Sequence, residues 1–323
     1  FESVLPKASL KLKLSPRSNM KFDYKTQVNV PSVNQLQEVW NNSNPLLLTV
    51  GNAALKTSFT HSINGRFMCH SKKSKSIMAF AMFSKTNNYI SNATQLVTND
   101  VVLADGKELK QGTRYSQPLN LDGYWNVRSH LVFGTPIKPL KLNFNASTGF
   151  MSTVTPILLN GEKGFSQSFT YPLGLTLSSN INEKIDFSIS SAGSYNEVRN
   201  TLQISSNNNY FNVLTTAKIT YSFWKGLVFQ SEVAHTLYTG LSSAFNRNYF
   251  LWNASLAKKF LKDNKGEIKL SVFDVLQQNN SITRTVADTY VEDLKNVVLQ
   301  QYFMATFTYK FKKLKSVDTE TLK

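Results

Sequence analysis

The residues best suited to chemistry are few and scattered. Four histidines, His61, His70, His130 and His235, are expected on separate strands, without the close spacing that a metal site requires, so polar strand or rim positions fit them better. Asp288, Glu292 and Asp293 are acidic neighbours near the C-terminus. Paired carboxylates can serve glycoside hydrolysis or calcium binding, but nothing in this spacing fixes a geometry, and a solvated loop face is the plainer account. Cys69 is the single cysteine, which removes an intramolecular disulfide framework and a thiolate metal cluster. No Gly-rich phosphate loop, serine nucleophile elbow or Cys–His pair is present. The expectation is a protein that is not an enzyme and that uses no cofactor or metal.

Composition points elsewhere. The 323 residues carry 36 Lys and Arg against 20 Asp and Glu, a net charge of +16, yet only 17% are charged and 41% are hydrophobic. The basic residues stand singly among apolar ones, and pairs such as Lys72-Lys73 and Lys312-Lys313 fall at expected turns or in the tail, so a nucleic-acid partner is not expected. No run approaches the ~18–20 apolar residues of a membrane helix. That leaves open a barrel, whose strands are apolar on one side only. Twenty-two Phe and 13 Tyr make a heavy aromatic load. Phe1 opens no signal peptide, and the expectation is a precursor start that is absent or cleaved.

The residues that could serve such a chain are placed by alternation. Phe211, Val213, Ala217, Ile219 and Tyr221 interleave with Asn212, Thr216, Lys218 and Thr220; Leu140, Leu142, Phe144 and Ala146 interleave with Lys141, Asn143 and Asn145; Trp125, Val127 and Leu131 interleave with Asn126, Arg128 and His130. This is the period-two strand pattern. About thirteen strands are expected, near 8–14, 19–29, 55–70, 75–90, 112–133, 138–155, 165–181, 184–199, 207–223, 227–240, 247–261, 265–277 and 299–311. Their connections alternate between tight ones (Pro16-Arg17, 72–74, Thr135-Pro136-Ile137, Asn182-Glu183, Lys225-Gly226, Asp263-Asn264) and long ones (30–54, 91–111, 156–164, 200–206, 241–246, 278–298). Outer-membrane barrels show this asymmetry, with tight periplasmic turns and longer outer loops. Short helices are expected at Ser32 to Trp40 and within 284–298.

The fold class expected is therefore all-β: an antiparallel up-and-down transmembrane barrel wall over residues 1–311, with 312–323 as a periplasmic tail. An odd strand count with ends on opposite sides implies further strands upstream, because an arc leaves two unpaired edges that lipid does not tolerate. Arg128, Lys141, Asn143, Asn212 and Lys218 are the expected lumen-facing residues, and apolar Phe144 should face lipid. Aromatics at Tyr249, Phe250, Trp252, Phe223 and Trp224 are expected at the bilayer interfaces. Tyr302, Phe303, Phe307, Tyr309 and Phe311 form an aromatic last strand, the expected C-terminal assembly signal.

Several stretches together resemble the barrel of Bacteroidetes-type TonB-dependent receptors. They are Pro31-Ser32 with Gln35-Leu36-Gln37, Asn42 to Leu46, Gly51-Asn52, Asn120 to Trp125, Trp252-Asn253-Ala254, Lys258-Lys259-Phe260, Glu267 to Asp274, Asn279-Asn280-Ser281, Arg284, and Tyr302 to Tyr309. The resemblance implies a 22-stranded barrel around an N-terminal plug. It also implies energy from an inner-membrane TonB complex through a TonB box, and import of a siderophore, cobalamin, glycan or peptide. Implied partners are outer-membrane lipid and lipopolysaccharide, the plug and remaining barrel strands, the TonB complex and the barrel assembly machinery. Neither plug nor TonB box lies in these 323 residues, and the residues after Phe311 depart from the terminal aromatic of the family. Two other readings stand beside it: a passive or structural outer-membrane barrel, and a soluble secreted β-rich binding protein.

Overall fold

The computed structural model describes residues 3–44, 47–102, 106, 108–179, 181–182, 184–204, 207–240, 247–279, 281–286 and 291–311. Alternating, β-branched and aromatic segments form strands throughout. In chain order these are β1 (Lys7–Ser15), β2 (Ser18–Asn29), β3 (Asn41–Asn44), β4 (Leu47–Thr49), β5 (Ser58–His70), β6 (Ser76–Asn87), β7 (Tyr89–Leu96), β8 (Val101–Val102), β9 (Glu108–Leu109), β10 (Arg114–Leu121) and β11 (Tyr124–Ile137). They continue with β12 (Leu142–Leu159), β13 (Glu162–Ser179), β14 (Ile185–Asn200), β15 (Asn208–Phe223), β16 (Leu227–Thr239), β17 (Arg247–Phe260), β18 (Gly266–Phe273), β19 (Ser281–Val286), β20 (Val291–Asn296) and β21 (Tyr302–Tyr309).

The pairings give one antiparallel meander. β1, β2, β5, β6, β11, β12, β13, β14, β15, β16, β17, β18 and β21 each pair with the next in that order. These thirteen strands are the wall expected from the sequence. Among the described residues β1 and β21 each pair on one side only, so the sheet is not closed. β3, β4, β7 and β10 join the same sheet at its long-loop end, bringing it to 17 strands.

Tight connections close one end of the wall. Lys225 and Gly226, and Asp263 and Asn264, take positive φ there, as expected of these turns. One boundary is shifted. Thr135, Pro136 and Ile137 belong to β11, and the turn is Lys138 to Lys141, closed by Lys141 N–H donating to the Lys138 carbonyl at 3.1 Å with Lys141 at φ 51°. Pro139 presets the start of that turn.

The opposite end departs further from expectation. The strand expected over 112–133 breaks into β10 and β11 at Asp122-Gly123, and the strand over 75–90 breaks at Asn88. Gly123 sits at φ 118°, and a Cβ there would lie 2.8 Å from the Phe165 ring. Asp122 Oδ1 accepts from the Asn88 N–H at 2.8 Å, and Tyr89 stacks on Tyr124 at 4.1 Å, so the two bends are locked together. The β7–β10 pair thereby departs from the line of β6 and β11, and β7 pairs instead with the outer end of β12. The small apolar core at this end is Leu48, Val97 and Leu109, with Trp40 and Tyr115 packed against it.

Residues 156–164 are not a long loop. β12 and β13 run to Leu159 and Glu162 and are joined by Asn160-Gly161, both at positive φ. Ile157 is only 1% exposed, because β7 pairs in parallel with Leu158-Leu159 and Ser91 Oγ donates to the Pro156 carbonyl at 2.7 Å. The helix expected within 284–298 is also overturned. β19 and β20 form an antiparallel hairpin, since Ile282, Thr283, Thr285 and Val286 favour extended backbone. The helix expected from Ser32 exists but spans only Val33–Leu36, with a Ser32–Gln35 capping box; this is α1.

Replacing Gly123 by Val should cost about 2 kcal/mol or more through the positive φ and the Phe165 clash. Gly161→Ala, in open space, should cost less. The midpoint of urea unfolding in detergent checks the difference.

Candidate functional site

Cross-strand register sorts the wall into two faces. One carries Leu10, Leu12, Phe22, Ile63, Phe83, Leu131, Phe150, Leu173, Leu175, Ile189, Phe211, Ile219, Leu256, Leu270, Phe303 and Phe307 in register from β1 to β21. These side chains are open to their surroundings: Leu173 is 58% exposed and Phe307 66%. On β14 the uncharged run of this face extends from Ile185 to Tyr195, about 33 Å at ~3.3 Å per residue. At the ~35–45° tilt of barrel strands such a run rises ~25 Å, the height of the apolar band of an outer-membrane barrel.

Charges on the apolar face keep to its ends. Lys85, Lys163, Glu197 and Arg199 lie toward the long-loop end, where Glu197 and Arg199 pair with each other at 2.5 Å. Lys258 lies toward the tight-turn end and bends its ammonium to the Lys225 carbonyl at 2.5 Å, the snorkelling expected at a membrane rim. Phe223 and Trp224 mark that same end, and Trp224 is 72% exposed. Phe250 and Trp252 share the apolar face, with Trp252 Nε1 donating to Ser231 Oγ at 3.0 Å; Tyr249, between residues of that pattern, falls on the other face.

The second face is polar, and it collects four of the five candidates. Arg128, Asn143, Asn212 and Lys218 all lie on it by register. Lys141 does not: it belongs to the turn before β12, where the left-handed backbone that closes the loop takes it out of the strand alternation. Asn212 Oδ1 accepts from Ser194 Oγ at 2.5 Å and from Asn196 Nδ2 at 3.1 Å. Lys218 pairs with Glu232 at 3.0 Å, and next to them Lys269 Nζ donates to Gln230 Oε1 at 3.0 Å. These groups line a hollow of about 270 Å³ that also includes Ser271, whose buried hydroxyl has no partner among the described residues. Alternation predicted Lys218 on this face. It could not predict Glu232 or Lys269 beside it, because that requires the register of β16 and β18.

The polar face becomes strongly basic at β1, β2 and β5. Lys7 stands opposite Lys25, Lys11 opposite Lys21, and Lys21 opposite Arg66, with Lys13 nearby. Asp23, bonded to Lys21 at 2.7 Å and accepting from Ser9 Oγ at 2.8 Å, is the one carboxylate on that part of the face. Like charges directly opposite one another in a ladder repel, so this surface favours an anionic neighbour.

The last strand is divided. Phe303, Phe307 and Tyr309 are on the apolar face, whereas Tyr302 is on the polar face and stacks on Phe273 at 4.5 Å. Phe311 lies beyond β21, edge-on to Tyr309 at 4.8 Å. The expected tail, 312–323, lies outside the described residues, as does Asp288. Glu292 and Asp293 fall on β20, opposite Thr285 and Arg284. His61 and His70 are not on separate strands: both are on β5, at positions of opposite parity. His61 Nδ1 is 2.9 Å from Tyr24 Oη, and His235 stacks on Phe250 at 4.4 Å, so both rings have local partners.

Outside the wall, Asp100 accepts from Gln111 N–H and from Lys110, which holds its carboxyl below the ordinary value of 3.8; Lys110 is raised in turn, chiefly by Asp100. A lowered carboxylate pKa adds order above the ordinary value and loses it as pH falls through the lowered one.

Leu173→Arg, in the middle of the apolar run of β13, should cost ~2–4 kcal/mol, Phe144→Arg near the tight-turn end of β12 less, and Asn143→Arg on the polar face little. Reversible unfolding from lipid vesicles reads the order, and equal costs would refute the assignment of faces. No curated protein matches the chain. The family model for the outer membrane protein beta-barrel family matches residues 1–309, and this two-faced wall belongs to that family.

Proposed function

We propose that this wall is the barrel portion of a TonB-dependent receptor that imports a nutrient ligand across the outer membrane. The observation that carries the reading is the wall itself: thirteen meandering strands with one continuous apolar face, and edges on β1 and β21 that are unpaired among the described residues. Hydrocarbon offers no partner for the backbone groups of such edges. Additional strands, 22 in all, would complete the ring, and a plug domain would fill it. Arg128, Asn143, Asn212 and Lys218 then line the lumen. The basic strip from Lys7 to Arg66 faces acidic groups of the plug or of the ligand. In this reading the long loops are extracellular, and the tight turns and the end of β21 are periplasmic. The aromatic β21 is the strand read by the barrel assembly machinery.

A passive barrel is the second reading. It would share the two-faced wall but need neither plug nor energy source. Three measurements separate the two. The full gene should encode a plug and a TonB box upstream of this wall. Ligand uptake by cells should fall to background when tonB is deleted. The purified protein should conduct poorly in planar bilayers. Large steady conductance with TonB-independent uptake would establish the passive barrel instead. Cysteines placed at Ser74 and Gly161 test orientation: a membrane-impermeant maleimide should label Gly161→Cys on whole cells and leave Ser74→Cys unlabelled.

A further inference from the structure

A pocket of about 400 Å³ lies at the long-loop end, between the loop that carries α1 and the edge of the β7–β10 hairpin. That volume is in the range of small-ligand sites. Its frame is fixed by backbone bonds. Gly51 N–H donates to the Gln37 carbonyl at 3.0 Å and Asn52 N–H to the Gln35 carbonyl at 2.7 Å. Only glycine fits at position 51, because a Cβ would land on the Gln37 carbonyl oxygen. From the other side Gln117 Nε2 donates to the Gly51 carbonyl at 3.1 Å, and Asn52 Nδ2 to the Pro118 carbonyl at 3.0 Å. The loop is thereby tied down on β10 before any ligand arrives.

The lining has a distinct chemistry. Trp40 supplies a large ring, held 5.4 Å from Tyr115 against the Leu48–Val97–Leu109 core. Around it stand the amides of Asn34, Gln37, Asn41 and Asn92. Asn34, Gln37 and Asn92 have no side-chain hydrogen-bond partner among the described residues, so their donors and acceptors are available. Among the described residues none that lines the pocket is charged, although the protein carries 36 cationic and 20 acidic side chains; Glu38, the one charge within 32–52, does not line the pocket.

We infer that this pocket binds a neutral polyhydroxylated ligand, an uncharged glycan. A primary amide offers two donors and an acceptor, which suits neighbouring hydroxyl groups that each give and take a hydrogen bond. The indole face suits the C–H face of a sugar ring, with its own N–H end polar. An anionic or cationic ligand would have to shed water here without a counter-charge. The inference rests on the proposed importer reading for its biological role, since it names the class of ligand the outer end would select.

The test is calorimetric titration of the detergent-solubilised protein with maltohexaose, cellohexaose, laminarihexaose and mannohexaose, alongside tri-citrate, oligoglutamate and an uncharged Ala-Ser peptide. At least one neutral hexasaccharide should bind with Kd of ~1 mM or tighter. Gln37→Ala and Asn92→Ala should each weaken it about tenfold, a single lost polar contact. Glu38→Gln should leave it unchanged. Trp40→Phe should abolish the ligand-induced change in tryptophan fluorescence while heat-modifiable gel migration stays as in the parent. Binding by none of the four glycans, binding indifferent to Gln37 and Asn92, or binding of citrate, oligoglutamate or the peptide in their place would overturn the inference. Glycan binding without TonB-dependent uptake would remove the importer reading and leave the site standing; uptake without glycan binding would do the reverse.

Discussion

Every backbone amide and carbonyl at the level of hydrocarbon must find a partner within the sheet, because the surroundings supply none. The thirteen-strand order from β1 to β21 is the answer to that constraint, and the rest follows from it. In-plane pairing fixes the period of two, the period separates Leu173, Ile189 and Phe307 from Thr170, Asp186 and Thr308, and the separation leaves a wall without an interior core of its own. The buried apolar cluster of Leu48, Val97 and Leu109 sits where the chain leaves the wall and soluble-protein packing takes over.

The wall was legible in the sequence for the same reason. Each strand writes its two faces directly into alternate residues, and turns such as Lys225-Gly226 and Asp263-Asn264 use residue types that tolerate left-handed backbone. What eluded the sequence was decided by tertiary contact. The bend at Gly123 depends on Phe165, some forty residues on, and the burial of Pro156-Ile157 depends on β7 closing against the end of β12. In the hairpin of β19 and β20 the acidic Glu292 and Asp293 suggest a helix, but the β-branched residues around them decide for extended backbone.

The polar face shows the same limit. Parity alone placed Arg128, Asn143, Asn212 and Lys218 together, and parity fails at Lys141 because a residue inside a turn has no strand phase. The pairing of Lys218 with Glu232, and the cation rows joining Lys11, Lys21 and Arg66, are properties of register between strands. Register is set by turn geometry and hairpin length, neither of which a single strand records. The pocket beside Trp40 was harder still, since its residues come from α1 and the loop after it, from β3 and β4, and from β7 and β10.

The clamp on β7 has a mechanical consequence. This strand is bonded to β10 on one side and to the outer end of β12 on the other, and β4 is bonded to β10 in turn. A unit stitched into the wall at that many points behaves as a rigid turret and not as a hinged flap. A ligand in the pocket beside Trp40 would meet a surface already in its final shape, so binding there would spend little on ordering the protein.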